Sequence, residues 1–489
     1  VEACRVMAQV AEACRAPQAL DWRRRIADLS QGVDDKLKLA ATALQIQGPP
    51  WPLAAQTLEE IDQAGKESIA FHLISAELAL RLNRQPEAEA HFQKASLLEP
   101  TNEIHRLNLA ALRLRSTNPA IAAQARADLD GLRTSPNLSA IALRWLVSDS
   151  IARGDWPTAE QLSQRLLTDP RATMEDRLEH LRILQERHAP EFASSLESVQ
   201  MEAATNVSHV YLVGSWMISH DLASQALEWL NRCPASVKSE QPVPLVMAET
   251  YVALANWTGL ENYLNQEKWG EMEFLRTALL SQAAQEQHRP EPAQSLWRLA
   301  VHQAGDRLGA LVSLLRMANG ARSTEAKEEL LWRVIRKYPR ERWILQELNQ
   351  LYVSAGNTAG LNKLSAFMME RDPRDHVSRN NYAATALLLK FNLSRAHELA
   401  REVYSHQPDD PVCASTYAYS LHVQGRTLAG LQVLEKLKPE ALETPAIALY
   451  YGVLLAAEGQ TNQARKYLSL AKTETLLPQE RALRDSPAW

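Results

Sequence analysis

Residues 381–408 read NYAATALLLKFNLSRAHELAREVYSHQP, and residues 448–474 read ALYYGVLLAAEGQTNQARKYLSLAKTE. Both stretches belong to a longer segment, from Arg342 to about Pro478, in which one pattern recurs. The turn of each copy follows the previous one at intervals of 35, 34 and 34 residues, at Gly356, Phe391, Gly425 and Gly459. A period near 34 residues that contains two amphipathic helices predicts a helical solenoid.

Each copy places a small or neutral residue seven positions before its turn, where it would let two helices approach closely. These residues are Asn349, Ala384, Ala418 and Gly452. Larger side chains three positions further on share the same predicted buried face: Tyr352, Leu387, Leu421 and Leu455. Glycine at three of the turns suits a left-handed residue that ends a helix. Phe391 is the exception, and Asn392 beside it tolerates the same backbone region.

The pattern of small, aromatic and alanine positions in these stretches resembles the tetratricopeptide repeat family. Residues 75–100, SAELALRLNRQPEAEAHFQKASLLEP, also match, with Ala88, Phe92, Ala95 and Pro100 at the family's second-helix positions. The resemblance covers about 69–102 and 342–478 and is weaker between them. It implies an all-α, right-handed helical solenoid of tetratricopeptide-type helix pairs. It also implies a concave groove, lined by the first helices, that binds peptides or protein segments.

The chain is expected to divide into four parts. Residues 1–52 form N-terminal helices, either a capping element or a degenerate repeat, and 53–341 form a degenerate tetratricopeptide-like solenoid. Residues 342–478 are the regular repeats, and 479–489 are a C-terminal cap and tail. The sequence GPPWP at 48–52 is either a domain boundary or a turn between helix pairs.

Composition limits the class of partner. The 489 residues are 46% hydrophobic and 23% charged, as is usual for a folded globular chain. The formal net charge is −5 and the pI is about 6.3, which give no electrostatic reason to expect nucleic acid. The densest basic run, Arg23 to Arg25, is interpreted as a solvated helix face because no basic stripe continues it.

The four cysteines bear on the compartment. Cys4, Cys14, Cys233 and Cys413 form no CxxC and match no zinc spacing. Isolated thiols favour a reducing compartment and therefore a cytoplasmic location. The sequence begins at Val1, so a leader or anchor upstream would instead indicate a periplasmic or membrane-tethered protein.

The spacing of the glycines and histidines bears on enzyme chemistry. No glycine falls in a phosphate-binding GxxxxGK or GxGxxG order, and no GxSxG is present. His397-Glu398 begins like the zinc motif HExxH, but Arg401 stands where the second ligand would be. His180 and His188 are too far apart on one helix to share a metal. We therefore expect no cofactor, no metal site and no enzyme activity.

Charge is distributed unevenly between the helices of the regular repeats. The predicted first helices at 380–389, 412–424 and 446–457 are nearly free of charge, whereas their partner helices are heavily charged. The family's groove positions project onto Gln346, Gln350, Asn381, Tyr382, Thr385, Ser415, Tyr419, His422, Tyr450 and Val453. The alternative is that these helices are simply buried by their neighbours. The tryptophans, among them Trp145, are interpreted as core packing.

These observations favour a non-enzymatic protein–protein interaction scaffold that binds a peptide or helical segment in the groove. The expected partner segment is apolar or aromatic, because the groove positions offer no Lys or Arg and Arg379 stands just outside them. Two alternatives stay open: a membrane-tethered cell-envelope assembly scaffold whose anchor precedes Val1, and an accessory subunit of an enzyme complex. Membrane association would require a segment outside this sequence. The oligomeric state stays open.

The cysteine pattern predicts free thiols. Thiol titration of the denatured chain without reductant should count four, since no pair has the spacing of a recognised motif. A count of two or none would instead indicate an oxidising compartment.

Overall fold

The computed structural model describes residues 1–14, 16, 18–46, 48, 51–321, 324–339, 341–471 and 476–486. The structure is 79% helical, and the described residues contain no β-strand. The chain divides into two compact units, Val1–Leu254 and Ala255–Trp489. The predicted all-α fold of paired helices is confirmed. The smaller boundaries expected at 52, 341 and 478 stay predictions.

In the described part of the first unit, α-helices follow one another with short connections. They are α1 Glu2–Ala13, α2 Gln18–Ser30, α3 Val33–Ile46, α4 Pro52–Glu59, α5 Gln63–Lys66, α6 Ile69–Arg81, α7 Gln85–Leu98, α8 Glu103–Arg113, α9 Pro119–Gly131, α10 Ser139–Ala152, α11 Trp156–Leu166, α12 Met174–Glu186, α13 Phe192–Ala203, α14 Val207–Ser219, α15 Ala223–Arg232, α16 Ala235–Lys238 and α17 Val243–Ala253. A short 3₁₀ helix, Leu132–Thr134, continues from α9.

The described part of the second unit is built in the same way. Its helices are α18 Trp257–Gln266, α19 Glu273–Glu286, α20 Pro290–Ala304, α21 Leu308–Ala321, α22 Thr324–Lys337, α23 Arg342–Ser354, α24 Thr358–Arg371, α25 His376–Leu389, α26 Leu393–His406, α27 Pro411–Val423, α28 Thr427–Leu434, α29 Pro439–Leu442, α30 Pro445–Ala457, α31 Thr461–Leu470 and α32 Pro478–Arg484. A 3₁₀ helix, Gly270–Met272, precedes α19.

Packing within each unit is mainly between helices that are close in sequence. Helices α6 and α7, α10 and α11, α27 and α28, and α30 and α31 pack as pairs, and each pair contacts the next. The apolar interior is consequently a series of local clusters. The first unit has clusters over 37–78 and 107–183, and the second unit has clusters over 274–364 and 382–476. This neighbour-by-neighbour packing is the defining property of a solenoid.

The N-terminal part contains three helices, α1, α2 and α3, before residue 47. Residues 49 and 50 of the GPPWP break lie outside the described residues. Trp51 adopts a left-handed conformation with φ of 52°, and Pro52 begins α4, where its missing N–H costs no helical hydrogen bond. None of the described helices combines the length and hydropathy that crossing a membrane would need.

The repeat turns contain the predicted left-handed residues. Gly356, Gly425 and Gly459 have φ angles of 60°, 77° and 79°. At the exceptional turn, Lys390 and Asn392 are both left-handed, with φ of 52° and 46°. The two residues that flank Phe391 thus provide the reversal of chain direction that one glycine provides in the other copies.

The buried face of the first helices is confirmed, since Tyr352, Leu387, Leu421 and Leu455 are all at most 3% exposed. The small-residue position lies at a close helix contact in the last two copies. There, a Cβ on Gly430 would lie 2.6 Å from the carbonyl oxygen of Ala418, and a Cβ on Gly452 would lie 2.8 Å from Leu468 Cγ.

The small-residue positions of the first two copies are less buried. Asn349 is exposed and Ala384 is half-buried. In the α23–α24 pair, the close approach comes from the second helix instead. Gly360 lies against the ring of Tyr352, and a Cβ at this position would collide with that ring.

The contact at Gly430 yields a stability prediction. Gly430→Ala forces a methyl group against the Ala418 carbonyl, and we expect it to cost about 1–3 kcal/mol, as overpacking usually does. Hydrogen exchange should show the loss of protection in α27 and α28 first, because stability in a solenoid is local.

Gly309→Ala is the matched control for this substitution. Gly309 is exposed in α21, and a Cβ there would have no neighbour within 4 Å. Alanine should leave stability unchanged or raise it by up to about 1 kcal/mol. Equal destabilisation by both substitutions would contradict the close-contact argument.

Candidate functional site

The predicted groove residues lie on the first helices α23, α25, α27 and α30, but they differ in accessibility. Gln346, Gln350 and Asn381 are exposed, and His422 is half-buried. The others are buried: Tyr382, Thr385, Ser415, Tyr419, Tyr450 and Val453. The structure therefore brings together a polar exposed part on α23 and α25 and a covered part on α27 and α30.

Two of the buried hydroxyl groups form hydrogen bonds within the solenoid. Thr385 Oγ1 donates to the carbonyl oxygen of Asn381 at 2.6 Å and accepts from Asn362 Nδ2 at 3.0 Å. Ser415 Oγ donates to the carbonyl oxygen of Val412 at 2.9 Å. Because these hydroxyl protons are already used within the solenoid, a bound segment would meet the exposed amides first.

Aromatic rings make up much of the covered part. The ring centroids of Tyr419 and Tyr450 are 5.1 Å apart, and those of Tyr419 and His422 are 6.0 Å apart. His422 Nδ1 lies 3.1 Å from Thr427 Oγ1. Phenol rings offer flat apolar surface with a polar tip, which suits a face that contacts another chain segment.

The covering segment is the chain's own C-terminal part. Pro478 begins α32, and Glu480 accepts through Oε2 from the backbone N–H of Leu477 at 2.9 Å. Proline at the first helical position and glutamate at the third are both favourable helix starts. Arg481 Nε donates to the carbonyl oxygen of Leu476 at 3.0 Å, which ties the helix to the residues that precede it.

Helix α32 contacts two first helices of the same unit and the turn between α23 and α24. Tyr450 OH donates to Glu480 Oε1 at 2.7 Å. Thr358 Oγ1 donates to Gln479 Oε1 at the start of α24. The ring of Pro478 lies against Gly356 so closely that a Cβ there would be 3.1 Å from Cγ. The helix also packs on α25 and α30. We call residues 476–484 the tail segment.

Apolar contacts also hold the tail segment in place. Leu476 is 6% exposed within the C-terminal apolar cluster, and Leu477 and Leu483 pack against that cluster. The segment therefore buries leucine side chains and also positions a carboxylate.

Burial and the charge of Glu480 keep the phenols of Tyr419 and Tyr450 protonated. Burial, followed by the charge of Glu480, raises the pKa of Tyr419 to about 12. Burial first, then the charge and hydrogen bond of Glu480, raises the pKa of Tyr450 well above its ordinary value. A phenol that stays protonated at neutral pH donates to a carboxylate, so Tyr450 is suited to hold an acidic side chain.

An apolar row borders the same face. Trp343, Val377 and Val412 are each the second residue of their helix, α23, α25 and α27, and they are 38%, 66% and 53% exposed. The repeat interval gives them equivalent positions in successive pairs. Apolar side chains that recur in register and remain exposed are typical of a contact surface.

The first unit contains a second groove, which sequence analysis missed. Its cavity of about 540 Å³ is lined from α6, α7, α8 and α10. The lining is mainly apolar with a few polar groups: Leu73, Glu77, Leu80, Gln85, Phe92, Asn108, Ala111, Leu112, Arg115 and Trp145. Trp145 is half-buried: it packs against the apolar cluster of residues 107–183, as expected, and it also lines this cavity.

A sequence signal for this second groove did exist. Leu73, Glu77 and Leu80 are spaced i, i+4 and i+7 along α6, so one face of the helix combines two leucines with a charge. Leu80 is 41% exposed in the structure. The degenerate pattern between 100 and 341 hid the corresponding positions on α8 and α10.

Among the described residues, no group of three or more His, Cys, Asp or Glu side chains is placed to hold a metal ion. His397 instead packs near Ser420, with Nδ1 2.8 Å from Oγ. His180 Nδ1 lies 2.8 Å from Ser163 Oγ. These two histidines therefore have hydrogen-bond partners within the solenoid.

The described residues define an all-α helical-repeat protein with grooves lined largely by first helices. No protein-family model and no curated protein matches the chain. The chain aligns with a chain of Naa15/Naa10 bound to HypK-THB at 14% identity and a TM-score of 0.29, covering 98% of this chain and 69% of that one.

It also aligns with a chain of the APC/C hetero-tetramer Cut9-Hcn1 at 11% identity and a TM-score of 0.25, covering 86% of this chain and 96% of that one. Similarity at this level supports no inference about the function or partners of this chain.

A histidine pair between α6 and α7, next in sequence to the groove residues Leu73 and Phe92, yields a pH prediction. His72 Nδ1 and His91 Nδ1 are 3.0 Å apart between α6 and α7. Burial is the largest cause that lowers the pKa of both rings below 6.5, and Lys94 acts in the same direction. The unfolded chain then binds more protons than the folded one just below pH 6.5, so the free energy of unfolding falls there as pH falls.

Hydrogen exchange of α6 and α7, corrected for intrinsic rates, should therefore speed up between about pH 7.5 and about pH 5.5. His91→Phe should reduce that change. Helices α2 and α3 contain no histidine and serve as the internal control. An equal response in all four helices would contradict the role of the pair.

Proposed function

We propose that this chain is a non-enzymatic scaffold of the tetratricopeptide type that binds a peptide or helical segment of a partner protein. The proposed surface is the face formed by the first helices α23, α25, α27 and α30. The observation that supports it most is that a peptide segment, the chain's own tail segment, is already seated on this face. A face that holds one short segment has the chemistry to hold another.

The exposed part of the face offers groups that a backbone can use. Gln346, Gln350 and Asn381 each present a side-chain amide, which both donates and accepts hydrogen bonds. The apolar row of Trp343, Val377 and Val412 lies on the same first helices. Amides beside exposed apolar side chains suit an extended or helical segment that carries apolar or aromatic residues.

The proposed groove residues include no basic side chain. None of the ten proposed groove residues is Lys or Arg. Arg379, at the margin, forms an ion pair with Glu402 on α26. The bound carboxylate of the tail segment is held by a phenol and a backbone N–H. Binding should therefore depend only weakly on salt concentration, because few ion pairs form.

The proposal can be tested by placing carboxylates on the exposed part of the face. The double variant Gln350→Glu, Asn381→Asp keeps side-chain shape but brings two charges next to a segment that becomes desolvated on binding. Burying an unpaired charge is unfavourable, so partner binding should weaken by at least about tenfold. The measurement is quantitative affinity capture by the full chain, followed by titration of the captured partner.

The matched control is the double variant Gln432→Glu, Asn462→Asp. It makes the same chemical changes at exposed positions of the second helices α28 and α31. Partners that bind the proposed face should be retained by this control and lost from the groove variant. If both variants retain the same partners at the same affinity, the first-helix face is not the binding surface.

A further inference from the structure

We propose that the tail segment is a displaceable occupant of the C-terminal groove, and that it shows which partner segment the groove accepts. That segment begins a short helix with two apolar residues, then proline at the first helical position and glutamate at the third. This inference rests on the proposed function and adds the chemistry of the partner. The occupant that we propose is a segment of another protein with this chemistry.

Glu480 accepts two hydrogen bonds, one through each carboxylate oxygen. Its Oε2 accepts from the backbone N–H of Leu477 at 2.9 Å and so starts the helix, while its Oε1 accepts from Tyr450 OH at 2.7 Å. Both oxygens of Glu480 are therefore engaged, one within the segment and one with the groove. A glutamine offers only one acceptor oxygen, and an aspartate is one methylene shorter. The groove should thus select glutamate.

Proline and the leucines define the rest of the recognition. Pro478 lies against Gly356, which has a left-handed φ of 60° and no side chain to keep the ring away. Leu476 is buried in the C-terminal cluster, and Leu477 and Leu483 pack at its edge. The groove therefore accepts apolar side chains on both sides of the proline and the carboxylate.

The position of the tail segment differs from that of a simple end cap. A cap covers the last helix of an array, which here is α31. Helix α32 does contact the end of α31, where Arg484 Nη1 donates to the carbonyl oxygen of Ala471 at 3.2 Å. It also packs on α30 and α25, and its first residues contact the turn between α23 and α24. It thus lies across the first-helix face that the proposed function assigns to a partner.

The tail segment also leaves part of the face free. Gln346, Gln350 and Asn381 stay exposed on α23 and α25 while the tail segment is seated. A partner segment that repeats the tail chemistry and continues over these amides makes more contacts than the tail does. Those added contacts are what allow displacement, because a tethered segment competes at an effective concentration on the order of millimolar.

The direct test uses a fluorescein-labelled peptide of residues 476–486, LLPQERALRDS, and the full chain. Fluorescence anisotropy is measured with the wild type and with Glu480→Ala, which weakens the tethered tail and leaves the groove intact. The Glu480→Ala chain should bind the peptide at least about tenfold more tightly than the wild type, because the competing tail is released. A peptide with glutamine in place of its glutamate should lose that binding.

Adding Tyr450→Phe to the Glu480→Ala chain should also remove the binding, because the phenol hydroxyl that holds the carboxylate is gone. Hydrogen exchange of α27 and α30 verifies that each variant keeps the groove folded. The proposal is overturned if the unmodified peptide binds neither chain, or if the glutamine peptide binds equally well.

A pair of glycine substitutions tests the seat without touching the tail. Gly356→Ala places a methyl group 3.1 Å from the Pro478 ring, whereas Gly425→Ala at an equally left-handed turn has no neighbour within 4 Å. Hydrogen exchange of residues 478–484 should speed up in the first variant and not in the second. Equal rates in both would mean that Pro478 does not depend on Gly356, and would overturn this part of the seat.

Two further outcomes separate this inference from the proposed function. If partner capture depends on Gln350 and Asn381 but the peptide does not bind, the groove uses different chemistry and only the inference fails. If the peptide binds but no partner depends on those residues, the proposed function fails while the groove chemistry stands. A wild-type dimer that dissociates on Glu480→Ala substitution would assign the occupant to a second copy and overturn the inference.

Discussion

The fold depends on how closely two helices of a pair can approach. At the tightest contacts, one helix has no side chain: Gly430 lies against the backbone of Ala418, and Gly452 lies against Leu468. Once the helices are this close, a short stretch of each suffices to bury leucine and tyrosine side chains between them. Each pair is thereby stabilised by packing against the adjacent pairs, so the chain needs no single central core.

Close pairing also explains how the binding faces arise. A first helix buries one side against its partner and the adjacent pair, so its remaining side is left to form a groove. In the first unit this side is lined by residues such as Leu80 and Trp145, and the cavity is open. In the second unit the corresponding side contains Tyr419 and Tyr450, and a segment of the same chain covers it. One architecture thus yields both an open and an occupied groove.

Sequence patterns predicted the architecture well because local spacing determines it. Left-handed glycines such as Gly425 and buried residues such as Leu455 recur at a period that the chain displays directly. The pattern could not predict Gly360 as the close contact of the α23–α24 pair, because there the small residue is on the second helix. It also failed to show the groove at Trp145, where the repeat signal is degenerate.

The tail segment was beyond sequence reasoning for a different reason. A helix of seven residues has too few turns to show periodicity, and its polar residues resemble a solvated end. What determines its position is a hydrogen bond between Tyr450 and Glu480, 30 residues apart, and a proline against Gly356, which is still more distant in sequence. Such contacts are fixed by the path of the folded chain, so only the structure can reveal them.

The contact between Pro478 and Gly356 has a consequence for the order in which the second unit comes apart. A repeat array with a free end frays from that end, because its last helix has a neighbour on one side only. Here the tail segment reaches back to the turn between α23 and α24, so the pairs from α23 to α31 are bridged at both extremities. The final pair cannot fray independently until that bridge is broken, which gives the C-terminal pairs a shared first step of unfolding.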